Sequence, residues 1–146
     1  MSLEILLPIA RSRLVTLADD APLIRAAELL RSGTDILVVC NAESVMLGVI
    51  TKTDIVSQIA QCQGSGCIKA AASAMQQDVM LCRSGDSLPD LWARMRERGL
   101  KNVPYVDQDL RPLGIINARD LLQEMLKEST DEEAMMRDYV MGVGYR

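Results

Sequence analysis

Apolar positions along the chain change period repeatedly, from short continuous runs to three- and four-residue spacing, and so predict short strands alternating with helices. An extended stretch at Leu14 to Leu17 precedes Asp and Pro start signals and a helix over roughly Leu23 to Arg31. Gly33 then fits a helix C-cap, and a β-branched apolar run of strand length follows. The polar turn Asn41 to Val45 and a second helix at about Lys52 to Ala60 complete the series. The same succession returns with Val79 to Arg83, Leu88 to Glu97, Gly99, the turn Asp107 to Arg111, and a helix at Ala118 to Lys127. Turns this short and polar predict that the strands on either side form antiparallel hairpins.

The two series are copies of one another. Gly33-Thr-Asp-Ile-Leu-Val-Val39 lies against Gly99-Leu-Lys-Asn-Val-Pro-Tyr105, and Leu47-Gly-Val-Ile-Thr-Lys-Thr-Asp54 against Leu113-Gly-Ile-Ile-Asn-Ala-Arg-Asp120, both at an offset of 66 residues. The predicted fold class is α+β, a β-α-β-β-α unit occurring twice: repeat 1 at 8–60, a Gly- and Ser-containing linker at 61–73, repeat 2 at 74–127, and a tail at 128–146. Neither copy is large enough to cover both faces of its sheet, so packing the copies together buries what each leaves exposed. In the tail, Ser129 to Glu133 reads as a helix start, and Met135, Met136, Tyr139, Val140 and Val143 form an apolar stripe. That stripe packs either on its own chain or on a second subunit.

The element order, the Gly-hydrophobic-hydrophobic-Thr-x-x-Asp segment at 48–54 and the Asn-Val-Pro-Tyr-Val strand at 102–106 resemble CBS (cystathionine β-synthase) domains. The pair resembles a Bateman module, over residues of about 8–60 and 74–127. The ending Arg137 to Arg146 looks similar to that of short bacterial stand-alone CBS-pair proteins. The resemblance implies two pseudo-symmetric repeats with a cleft between them, AMP, ADP, ATP or a related adenosine compound as ligand, no catalysis, a homodimer, and a regulated partner that the sequence does not identify.

Thr51 and Asp54, like Asn117 and Asp120, stand where a strand ends and a helix begins. One reading is structural: Thr51 or Asn117 caps the helix and the carboxylate three residues on returns to the cap. The other is functional, because a helix amino terminus presents unpaired N–H groups that favour a phosphate. By resemblance, Thr51 and Asn117 are phosphate-side residues, and Asp54 and Asp120 hold ribose hydroxyls. Also by resemblance, Thr16, Ile36 and Leu37, or Cys82, Asn102 and Val103, flank adenine, although Ile36, Leu37 and Val103 read more readily as plain core. Lys52, Lys101 and Arg119 either neutralise phosphate or are solvated surface residues. The halves differ, since Asn117 replaces a hydroxyl residue and Asp35 stands where Lys101 stands in the second copy. An acidic group there repels phosphate, which favours one strong site over two equal ones.

Composition narrows the alternatives. The 146 residues are 49% hydrophobic and 25% charged, the balance of a globular protein. A net charge of −4 without a basic run, and an aromatic content of only 3%, exclude the usual means of holding nucleic acid. Apolar runs are of strand length, far below the roughly 20 residues of a membrane span. The N-terminus lacks a basic n-region and cleavage site, so the expected location is the cytoplasm. Without any His, triads that use one and His-ligated metal sites are excluded, and no metal or cofactor is expected. Cys62 and Cys67 are expected to be reduced thiols in a linker rather than a disulfide or half a metal site. Two rivals remain: a ligand-free dimerisation or interaction module, and an enzyme using Asp54 and Asp120 as acid and base, which nothing else in the sequence supports.

Overall fold

The computed structural model describes residues 3–62 and 69–127. The predicted tail, and linker residues 63–68 including Cys67, lie outside this range. The first repeat contains β1 (Thr16–Ala18), α2 (Leu23–Arg31), β2 (Ile36–Cys40), β3 (Met46–Thr51) and α3 (Lys52–Cys62); α1 (Leu7–Arg13) precedes it. The second contains α4 (Leu88–Arg98), β4 (Asn102–Val106), β5 (Pro112–Asn117) and a helix at 118–127, here α5. β1 runs parallel to β2 and β2 antiparallel to β3, whereas β4 and β5 form a two-stranded antiparallel sheet.

Local chemistry accounts for the elements. On α2, Leu23, Ala26 and Leu30 are buried, and on α4 Leu88, Leu91 and Met95, each set covering one helical face. Ser87 caps α4 by accepting the Asp90 N–H at 3.1 Å, and Gly99 ends it with φ +65°, in the left-handed region where a side chain is costly. The two hairpin turns are built alike. Asn41 Oδ1 accepts the Glu43 and Val45 N–H groups, and Asp107 Oδ1 accepts those of Asp109 and Arg111, with Ser44 and Leu110 both left-handed. Each hairpin even carries its register shift at the same place, Val39/Cys40 and Tyr105/Val106.

Every residue of β2 is buried. Leu37 and Val39 face α2 and Ile55, while Ile36, Val38 and Cys40 join Met46, Val49, Val106 and Ile115 in a layer between the repeats. The Met46 N–H donates to the Leu110 carbonyl at 2.9 Å, tying one hairpin to the other's turn. The mutual packing of the copies expected from the sequence is therefore the centre of the molecule.

Three features differ from expectation. The strand expected over Val79 to Arg83 reduces to one parallel bridge, Cys82 to Tyr105, and β1 starts two residues later than Leu14. α1 was not anticipated, because it has few apolar residues; a 3-10 turn at Leu3–Leu6 leads into it. Leu3, Leu6 and Ala10 are buried, and they belong to the core of the second repeat. The far end of the expected linker is likewise packed, with Ala71 buried in the core of the first repeat and its N–H donating to Ala21. Each repeat is thus sealed by the segment that precedes the other.

Two glycines permit this exchange. A Cβ on Gly114 would lie 2.6 Å from the Ala10 carbonyl carbon, and one on Gly48 would overlap the Gln76 carbonyl. Gly114→Ala is therefore expected to lower stability by about 1–3 kcal/mol, the usual cost of overpacking, measured from the urea midpoint. An unchanged midpoint would show that α1 is not seated on β5.

Candidate functional site

Where β3 runs into α3 and β4 starts beyond Gly99, the two repeats leave a cleft of about 810 Å³. Ile36, Val49, Val79, Met80, Leu100 and Pro104 supply apolar wall, and Thr51, Gln76, Asn102 and Asn117 polar groups. Its charged residues are Lys52, Arg98, Lys101, Asp35 and Asp78, three cations against two carboxylates. The volume lies within the roughly 300–1,000 Å³ common for small-molecule sites. Of the residues singled out by sequence, Ile36, Thr51, Lys52, Lys101, Asn102 and Asn117 are brought together here. Arg98 and Gln76 were missed; Arg98 is the last residue of α4, one step before the Gly99 cap, which is the signal that places it at this corner.

At the first corner both readings of Thr51 and Asp54 meet the same geometry. Asp54 Oδ2 accepts the Thr51 N–H at 2.8 Å and its hydroxyl at 3.0 Å, and Oδ1 accepts the Gln76 amide at 2.7 Å. The carboxylate is thus a capping-box partner that does not itself line the cleft, although Thr51 and Gln76, which it holds, do. Lys52 lies 4.0 Å from Asp35, with both side chains more than half exposed, so this pair contributes little.

The second corner is arranged differently. Asn117 Oδ1 caps α5 through the Arg119 N–H at 3.0 Å, while its amide donates to Asn102 at 3.0 Å. Asp120 does not return to the cap. Its oxygens take Arg13 Nε at 2.5 Å and Nη2 at 3.0 Å, and the carboxylate is 8% exposed. Hydrogen bonding to Asp120 is the main cause that raises the Arg13 pKa. Arg119 itself is exposed.

The remaining candidates lie elsewhere. Thr16 is exposed on β1 opposite Val38, and Leu37 and Val103 are wholly buried in the two repeat cores. Cys82 corresponds to Leu17 rather than to Thr16, because Leu17 pairs with Val39 and Cys82 with Tyr105, its hairpin equivalent. The repeat offset is therefore one residue shorter before Gly99 than after it. The Cys82 thiol is buried and donates to the Pro104 carbonyl at 3.5 Å. Loss of water pushes its pKa up to about 12, with Asp86 adding and Arg94 opposing. Cys40 is buried and raised for the same first reason. Among the described residues no group of His, Cys, Asp and Glu is placed to hold a metal, and no helix is long and apolar enough to cross a membrane.

The native Cys82 keeps its proton while an unfolded thiol loses it near pH 9. Stability is accordingly full below that pH and falls as pH rises toward 12. Urea midpoints should decline over this window, and more steeply for the wild type than for Cys82→Ala. Parallel declines would mean that the Cys82 thiol does not contribute.

Comparison with known proteins follows the same outline. The profile of the CBS domain matches residues 7–61 and 70–127. The choline transport ATP-binding protein OpuBA of Bacillus subtilis is 29% identical over 123 residues, which are 84% of this chain but 31% of OpuBA. A CBS-domain protein of Agrobacterium tumefaciens, ATU1752, superimposes with a TM-score of 0.64 at 28% identity, over 75% of this chain and 82% of that one. CBSX2 in complex with AMP gives a TM-score of 0.69 at 20% identity, over 82% and 92% of the two chains.

Proposed function

Because the chain belongs to the CBS domain family and carries two copies of the repeat, we propose that it is a regulatory module that binds AMP, ADP, ATP or a related adenosine compound and acts on a separate or attached partner. The observation that carries this reading is the cleft itself. It joins an apolar slot to a helix start, with Thr51 at the cap and Lys52, Lys101 and Arg98 around it. A flat base fits the wall of Ile36, Val79, Met80 and Pro104, and a phosphate fits the helix start and the cations. Asp54 accepts the ribose hydroxyls in exchange for its bonds to Gln76 and Thr51. Such a ligand signals only if it favours one arrangement of the repeats over another, and it touches both hairpins. The likeness to CBSX2, solved with AMP, supports this choice of ligand.

Isothermal titration with AMP, ADP and ATP tests it. Saturable binding is expected, with Asp54→Ala weakening all three and Lys101→Ala weakening ATP by roughly tenfold through loss of one charged contact. No heat and no thermal stabilisation with any of them would sink the reading and favour the alternative, a ligand-free interaction module. That alternative has its own support, since Asp54 and Asp120 both already have protein partners.

We also take the protein to act as a homodimer. Val56 and Ile59 on α3 and Leu126 on α5 are large apolar side chains exposed by 67%, 44% and 58%, and they support this reading. Sedimentation equilibrium should give twice the chain mass of 16.1 kDa, reduced toward it in Val56→Glu; a monomer at all concentrations would dismiss it.

A further inference from the structure

Asp54 and Asp120 occupy equivalent positions in the two repeats, yet the structure treats the two carboxylates unequally. Asp54 is partly exposed and its partners are neutral groups, a hydroxyl, a backbone N–H and an amide. Asp120 is nearly buried and is clamped at two points by a guanidinium from α1, a residue 107 positions away in sequence. Neutral donors exchange readily for ribose hydroxyls. A bidentate charged pair does not, since a ligand that removed Arg13 would leave a shielded carboxylate holding only neutral donors.

We propose that Arg13 is a built-in occupant of the second corner, so that each chain takes one adenine nucleotide at the Thr51 end of the cleft, beside Asp54, and a second only when Arg13 is withdrawn from Asp120. The inference rests on the nucleotide-binding reading above and specifies its stoichiometry. Two further observations fit. Asp35, beside Lys52 in the cleft, adds a small favourable charge effect on Arg13. Arg13 remains 40% exposed, which leaves its withdrawal sterically open.

The test is titration of the wild type, Arg13→Ala and Arg13→Gln with AMP, each variant first checked for a cooperative thermal transition. Arg13→Gln keeps most of the side chain's packing and removes the charge, so it stands in if Arg13→Ala does not fold. The expected result is one site in the wild type. Either variant should show a second site, tightened by at least about tenfold relative to any weak second binding in the wild type, and lost again when Asp120→Ala is added. One site in the wild type and one in both variants would overturn the plug and leave the nucleotide reading standing, as would a second site in the wild type as tight as that of the variants. Absence of binding in all proteins would overturn the nucleotide reading and this inference together.

Discussion

Backbone contact between each hairpin and the segment that precedes the opposite repeat is the constraint on which the rest of the molecule depends. Gly114 lets Ala10 of α1 lie against β5, and Gly48 lets Gln76 bridge to Val49 of β3. No side chain fits at either glycine, and the gain is that each small sheet receives a cover it cannot supply from its own repeat. The 3-10 turn and α1 bring Leu3, Leu6 and Ala10 to the second core, and Ala71 reaches the first. Removal of either cover would expose a core to water, so the two repeats form one cooperative unit.

The same arrangement decides where a ligand is able to sit. β2 is buried on both faces and the hairpins pack on one another, so the middle of the molecule is filled by apolar side chains. The cleft opens at the ends of the hairpins, where strands turn into helices. The covers pass these corners on their way across: Gln76 touches Asp54, and Arg13 touches Asp120. Sealing the cores and setting the chemistry of the corners are therefore done by the same two stretches of chain.

Much of this was legible from sequence because its causes are local. The helix faces, the Gly99 cap, the paired Asn41 and Asp107 turns and the capping partner of Thr51 each depend on residues a few positions apart. Long-range causes were not legible. α1 offers a sparse apolar pattern whose meaning comes from β5, and Asp120 looks like Asp54 until Arg13 is brought to it. The equation of Cys82 with Thr16 failed for a different reason. The matching segments that set the offset all lie after Gly33 and Gly99, whereas the extra residue falls before Gly99, so everything upstream shifts by one.

The seat of α1 also fixes an order of events during synthesis. Arg13 leaves the ribosome 107 residues ahead of Asp120, which at typical elongation rates is an interval of about 5–20 s. Over most of it the stripe of Leu3, Leu6 and Ala10 is complete while the core that it covers is not. On a crowded polysome α1 of one copy can then close the second repeat of a neighbouring copy, giving a helix-exchanged pair with the same contacts as the single chain.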